Sequence, residues 1–154
     1  MFWTDWGEVP KIERADMDSA NRTLLVNKEI YWPNGLTIDY KDKRVYWTDA
    51  KLNYIARIQY DGTDRQKILG GTLPHPFGLS QFNNRLYWTD WTTHSIHTCN
   101  KNTGHGETVV QSKIFSPMGI QVYEPSVQQM PTGIATLLHV ISLLEENLWF
   151  KGLV

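Results

Sequence analysis

The chain has little of what would place it in several common classes. A single cysteine, Cys99, among 154 residues excludes an internal disulfide framework and any zinc site built on paired CxxC motifs. Neither sign of charge dominates. The net charge of −1 and a pI near 6.5 exclude a broadly basic, nucleic-acid-binding surface. No run approaches the roughly 18 apolar residues of a membrane helix; the nearest, 134–144, is broken by Thr136, His139 and Ser142. The opening Met1-Phe2-Trp3-Thr4-Asp5-Trp6 has neither the basic start nor the apolar core of a signal peptide. GxSxG, Walker A, GxGxxG and HExxH motifs are absent. The histidines His75, His94, His97, His105 and His139 lack ligand spacing, so no metal and no other cofactor is expected. What the chain has in excess is aromatic: seven Trp, seven Tyr and five Phe, a load that suits many strands, a recognition face, or both.

The aromatics recur. Phe2-Trp3-Thr4-Asp5 returns as Tyr46-Trp47-Thr48-Asp49 and as Tyr87-Trp88-Thr89-Asp90, the tryptophans 44 and then 41 residues apart. Trp32-Pro33-Asn34-Gly35-Leu36 returns as His75-Pro76-Phe77-Gly78-Leu79 and as Ser116-Pro117-Met118-Gly119-Ile120, with prolines spaced 43 and 41. Ile12, Ile55 and Ile96 keep the same 43 and 41. Three markers agreeing in period define an internal repeat.

Each unit reads as four short strands. In the middle unit these are 36–40, 44–49, 54–60 and 65–69, punctuated by turn signals at Asp42-Lys43, 50–53 and Asp61-Gly62. Ile55, Arg57 and Gln59 alternate with Tyr54, Ala56, Ile58 and Tyr60. Four strands per roughly 42 residues is the signature of a β-propeller blade. Residues 1–28 supply about three strands of one blade, 33–73 and 75–113 two full blades, and 116–123 one more strand. Rings close with about four to eight blades, so the expected fold is all-β, an incomplete propeller with open sheet ends.

Repetition separates scaffold from candidate site. On a strand Tyr46 and Thr48 share one face, Trp47 and Asp49 the other, and both faces are large, as a strand sandwiched between blades requires. Asp5, Asp49 and Asp90 close strands and can accept N–H bonds from the following turn. One identical carboxylate per blade argues for one local structural job rather than paired acid–base chemistry. The segments entering each blade lie on a common rim around the channel and differ from blade to blade. They gather Trp32, Asn34, His75, Phe77, Phe115 and Met118, joined by Trp6 and Trp91 just after the repeated strand. Ala50 holds that last place in the middle blade, so the scaffold does not demand a ring there. Non-repeating Trp, His, Met and Asn side chains at a channel mouth form a plausible hot-spot set, hence a partner-binding face. Cys99 reads as a small buried residue within a strand. Asn21-Arg22-Thr23 is a glycosylation sequon, meaningful in a secreted chain.

The Phe/Tyr-Trp-Thr-Asp motif at this period resembles the YWTD propellers of the LDL-receptor family, which close with six blades. Residues 1–18, 29–39, 71–78 and 86–104, with spacers such as 5–14, resemble the second half of the first propeller of the Wnt co-receptors, LDL-receptor-related proteins five and six. The resemblance covers 1–129 and implies a non-enzymatic, extracellular or cell-surface binding module. Its implied partners are Wnt ligands and inhibitors of the Dickkopf and sclerostin kind. The inhibitors offer an Asn-x-Ile segment whose asparagine would be received by Asn34, an amide able both to donate and to accept, beside His75 and Trp91. Residues 130–154 match nothing in that family, which continues with a cysteine-rich module. There Ile134, Leu137, Leu138, Ile141, Leu144 and Leu148 recur at helical spacing, so a helical or disordered tail is expected. Two other readings compete: a truncated product or isoform that binds nothing and pairs through its open edges, and, more remotely, a propeller enzyme.

Overall fold

The computed structural model describes residues 1–71 and 73–124. Among the described residues eleven strands form three antiparallel sheets, each a meander. The first holds β1 (Phe2–Asp5), β2 (Lys11–Arg14) and β3 (Thr23–Val26). The second holds β4 (Pro33–Asp39), β5 (Arg44–Asp49), β6 (Tyr54–Gln59) and β7 (Gln66–Gly70). The third holds β8 (Pro76–Phe82), β9 (Arg85–Asp90), β10 (Ser95–Asn100) and β11 (Thr108–Gln111). The links tighten where Asn and Lys tolerate the left-handed region: Lys43, Asn53 and Asn83 have φ of 52°, 55° and 51°. The sheets are the anticipated blades, and residues 1–122 make one compact unit.

Strand alternation builds two cores from one sheet. Val45 and Trp47 face blade 1 and meet Ile12, Val26 and Ile30, together with Tyr54, Ala56 and Ile58 from β6. Tyr46 and Ile55 face blade 3 and meet Leu73, Leu79, Leu86, Trp88 and Cys99. Trp47 and Trp88 are wholly buried, so the repeated tryptophans are interblade packing residues; truncating either to Ala would cost about 3–5 kcal/mol. A buried Lys101 ammonium, just after β10, reaches back to Asp39 at the end of β4 and to Asp42 (2.9 Å). Burial opposes its charge, but hydrogen bonds to Asp39 and Asp42 outweigh that and hold its pKa above the ordinary lysine range.

The threonine and glycine of the repeats do a paired job. Thr48 Oγ1 accepts from Gly35 N (2.9 Å) and donates to Phe77 O on the next blade (3.0 Å). Thr89 Oγ1 repeats this with Gly78 N (2.8 Å) and Met118 O (2.6 Å). The glycines let the neighbouring backbone come that close: a Cβ on Gly35 would lie 2.3 Å from Phe77 O, and one on Gly78 2.7 Å from Met118 O. Inner strands therefore meet backbone to backbone, stitched by a buried hydroxyl.

Two expectations need correction. The inner strand of the middle unit starts at Pro33, three residues earlier than the expected 36, because a bulge between Pro33 and Leu36 resumes pairing upstream; β8 has the same bulge between Pro76 and Leu79. Residues 116–123 form no strand. That segment is held to blade 3 by Thr89 at Met118 and by Val122 N donating to Ser80 Oγ (3.0 Å). No described strand flanks it for a ladder. The boundary at 129/130 and the helical or disordered tail over 130–154 lie outside the described residues.

Candidate functional site

The rim is assembled by the aspartates that close the repeated strands. Asp49 Oδ1 accepts from Lys51 N (3.1 Å) and Leu52 N (2.9 Å), as the sequence suggested. It also reaches back: Tyr31 N and Trp32 N donate to the same carboxylate at 2.7 and 3.2 Å. Asp90 does likewise, with Thr92 N and Thr93 N on one oxygen and His75 N on the other, all at 2.9 Å. Each aspartate thus ties the segment entering its blade to the turn leaving the YWTD strand. Backbone bonds complete the clamp, Ala50 N to Trp32 O (3.0 Å) and Trp91 N to His75 O (3.1 Å). The carboxylates are occupied by backbone donors, as scaffold groups are.

That clamp forces rings together. His75 and Trp91 stack at 5.1 Å between centroids, 8° apart, and Phe77 stacks on Trp91 at 4.6 Å and 17°. Trp32 of blade 2 reaches His75 of blade 3 at 6.4 Å and 50°. Tyr31 extends the row at 6.0 Å from Trp32, and Lys51 Nζ sits 5.4 Å from the Trp32 ring and 6.0 Å from that of Tyr31. The result is a continuous aromatic row across two blades, Tyr31–Trp32–His75–Trp91–Phe77, with one ammonium over its end. Trp91 is 37% exposed, and Trp32, His75 and Phe77 are half-buried. The ring nitrogens of Trp32, His75 and Trp91 and the half-buried Asn34 amide make no hydrogen bond to a described residue.

Of the eight residues singled out, Trp32, His75, Phe77 and Trp91 are in ring contact. Asn34 stands in the β4 bulge, two residues past Trp32. Trp6, Phe115 and Met118 are exposed (Phe115 at 93%), and neither Trp6 nor Phe115 pairs with a ring of the row among the described residues. Trp6 follows a strand whose blade has no described entry segment, and Phe115 precedes an entry segment with no described blade of its own. Tyr31 and Lys51 were missed. Their repeat equivalents are Pro74 with Phe115, and Thr92 with Gly7, so the blade-to-blade variation that marked Trp91 marks them as well, one residue further out.

Other chemistry-bearing groups are structural. His97 stacks on Trp88 at 5.3 Å and 13° and lies 2.9 Å from Thr93 and Ser95 hydroxyls. Burial pushes the Cys99 thiol up to about 11. Among the described residues no group of three or more His, Cys, Asp or Glu could hold a metal ion, and no helix is long and apolar enough to cross a membrane. Asn21 is exposed in a turn, its amide on Asp16 (2.7 Å).

Fold and rim together define a class: consecutive β-propeller blades whose entry loops display non-repeating side chains on one rim. The chain belongs to the family of the low-density lipoprotein receptor repeat class B, whose model matches residues 1–40, 43–79 and 84–124. It is 41% identical over 151 residues to the vitellogenin receptor Yl of Drosophila melanogaster, a match covering 96% of this chain and 8% of that receptor. Against the vitellogenin receptor of Solenopsis invicta the figures are 46% over 104 residues, 68% of this chain and 6% of that one. The chain therefore spans under a tenth of the receptors it matches, and the fly match runs into 130–154. Among solved structures, a chain of a nidogen/laminin complex superposes with a TM-score of 0.70 at 28% identity, over 77% of this chain and 46% of that one. Virginiamycin B lyase from Staphylococcus aureus, at 21% identity and a TM-score of 0.62 over 80% of this chain and 42% of its own, shares the fold alone. The LDL-receptor placement holds, while the relatives named are vitellogenin receptors rather than Wnt co-receptors.

Proposed function

We propose that this chain is a non-enzymatic, protein-binding module of an extracellular or cell-surface receptor, and that it recognises its ligand through the Trp32–His75–Trp91–Phe77 row with Asn34 and Lys51 at its margin. The observation that carries the reading is that row: contiguous rings whose polar edges have no partner within the described protein. Such a surface offers apolar area for stacking and donors for specificity, the usual composition of an interface hot spot. Catalysis is a poorer use of the same face, because its nearest carboxylates, Asp49 and Asp90, are spent on backbone N–H groups. The relatives' names favour vitellogenin as the ligand. The alternative ligand class, Wnt proteins or Dickkopf- and sclerostin-like inhibitors presenting Asn-x-Ile, is favoured by the free Asn34 amide. Asn21 would carry a glycan in that setting.

The test is a titration of the purified chain with vitellogenin and, separately, with an Asn-x-Ile peptide. Trp91→Ala should weaken whichever binds by about 30-fold, the roughly 2 kcal/mol of a hot-spot residue. Asn34→Ala should weaken the peptide selectively if the amide pairing is right. Binding that ignores Trp91→Ala would refute the face.

A further inference from the structure

The stitch between inner strands has a chemical consequence at one residue. Glycine is required at 35 and 78 because the next blade's backbone passes there. The residue before the repeated glycine varies: Asn34, Phe77 and Met118. Only the second blade therefore joins an asparagine to that glycine, and Asn34-Gly35 is the one Asn-Gly step in the sequence. Asparagine linkages react fastest before glycine, because no Cβ shields the nucleophile. The glycine nitrogen attacks the asparagine Cγ. That N–C bond forms, the Cγ–Nδ2 bond breaks, the nitrogen gives up its proton, and the side-chain amide nitrogen leaves as ammonia. Water then opens the succinimide ring at one carbonyl or the other, leaving aspartate or isoaspartate.

The fold supplies one half of this reaction and withholds the other. The Asn34 side chain is half-buried and makes no hydrogen bond to a described residue, so its Cγ is free to turn. The nucleophile is not free. Gly35 is buried, and its N–H is held by the Thr48 hydroxyl at 2.9 Å. Thr48 is wholly buried and is itself anchored on Phe77 O at 3.0 Å. Nor can the peptide swing toward the side chain. Pro33 before it is paired with Asp49, Leu36 after it with Trp47, and Phe77 O fills the space beside the Gly35 Cα. Ring closure needs a nitrogen released from its bond and a peptide free to rotate, and both follow only from local opening of the junction between blades 2 and 3.

We propose that Asn34 is a structure-gated deamidation site: Thr48 holds it inert while the junction is closed, and opening of the junction commits it to irreversible conversion. The product changes the rim. An amide that both donates and accepts becomes a carboxylate that only accepts. Isoaspartate also inserts a methylene into the main chain of the bulge, so Gly35 N no longer meets Thr48 in register. A junction that has stayed open long enough to react does not close as before. The chemistry does not rest on the ligand reading above; it needs only Asn34, Gly35 and Thr48.

Peptide mapping by mass spectrometry, after incubating the full chain in mildly alkaline buffer, reads the reaction. Folded wild type should deamidate at Asn34 at least about tenfold more slowly than the same chain unfolded in urea, the factor that one buried hydrogen bond supplies. Folded Thr48→Val should deamidate there about tenfold faster than folded wild type, with Asn83 unchanged. Should Thr48→Val fail to fold, wild type in urea below its midpoint decides the matter: the rate at Asn34 should climb in step with hydrogen exchange of the Gly35 N–H. Equal rates in folded and unfolded wild type overturn the proposal. So does a folded Thr48→Val chain no faster than wild type, or a rate in mild urea that ignores Gly35 exchange.

Discussion

The interblade stitch can be tested at Thr48. This side chain is wholly buried, and its hydroxyl is the sole described partner that Gly35 N and Phe77 O share. Thr48→Val keeps the shape and removes both bonds. It leaves one buried N–H and one carbonyl to face each other across a methyl group. An orphaned buried group costs about 1–3 kcal/mol, so the variant should lose about 3 kcal/mol. For a chain of this length that is a fall of about 6–12 °C in Tm at the usual 2–4 °C per kcal/mol. Thermal unfolding followed by circular dichroism, with urea midpoints as a second probe, measures it. Thr89→Val should lose a similar amount through Gly78 and Met118. Thr4→Val should change stability by less than about 0.5 kcal/mol in a single chain, because its hydroxyl bonds nothing described. The reasoning fails if Thr48→Val is as stable as wild type, or if Thr4→Val is equally damaging, since the loss would then come from β-strand context and not from the stitch.

Gly35→Ala should cost about 2 kcal/mol or more, because its Cβ would press on the Phe77 carbonyl at 2.3 Å, whereas Gly119→Ala should be near neutral in the single chain; urea midpoints of the two variants decide it. Cys99 should resist a thiol reagent at pH 8 in the folded chain and react at once in denaturant, since burial raises its pKa to about 11. Labelling at the same rate in both states would contradict its burial. Arg22 is bonded to Glu13 at 2.6 and 2.9 Å and holds that carboxyl below its ordinary 4.5. A folded pKa below the unfolded one stabilises above pH 4.5 and is lost as pH falls through the lowered value. Arg22→Met should therefore flatten the acid limb of the stability curve below about pH 4.5; an unchanged limb would show the pair to be inert.

The fold was legible because its physics is local and repeated. Three markers at one period gave the blades, and strand alternation placed Trp47 and Tyr46 on opposite cores, as found. What stayed hidden is what repeats encode only in three dimensions. The bulges that start β4 and β8 at proline have no alternation signal. The reach of Asp49 back to Tyr31 and Trp32 spans 18 and 17 residues, beyond any turn rule. The glycines Gly35 and Gly78 of the entry segments serve a neighbouring blade's backbone, which no local pattern announces. On the rim, Trp32, His75, Phe77 and Trp91 were recognisable because they vary where the scaffold does not. Tyr31 and Lys51 escaped because the comparison stopped one residue short. Residues 116–123 misled for an opposite reason: their sequence is that of a strand, but a strand needs a partner, and sequence does not say whether one is present.

The aromatic row is proposed as a ligand-binding face, distinct from the scaffold that holds it. The most direct measurement is the affinity of vitellogenin for the wild-type chain, for Trp91→Ala, and for Tyr40→Ala. Tyr40, an exposed tyrosine, follows β4 at the end away from the rim. Trp91→Ala should lose about 30-fold while the chain still unfolds cooperatively, and Tyr40→Ala should lose nothing. Equal affinity of all three, with binding intact, would contradict it.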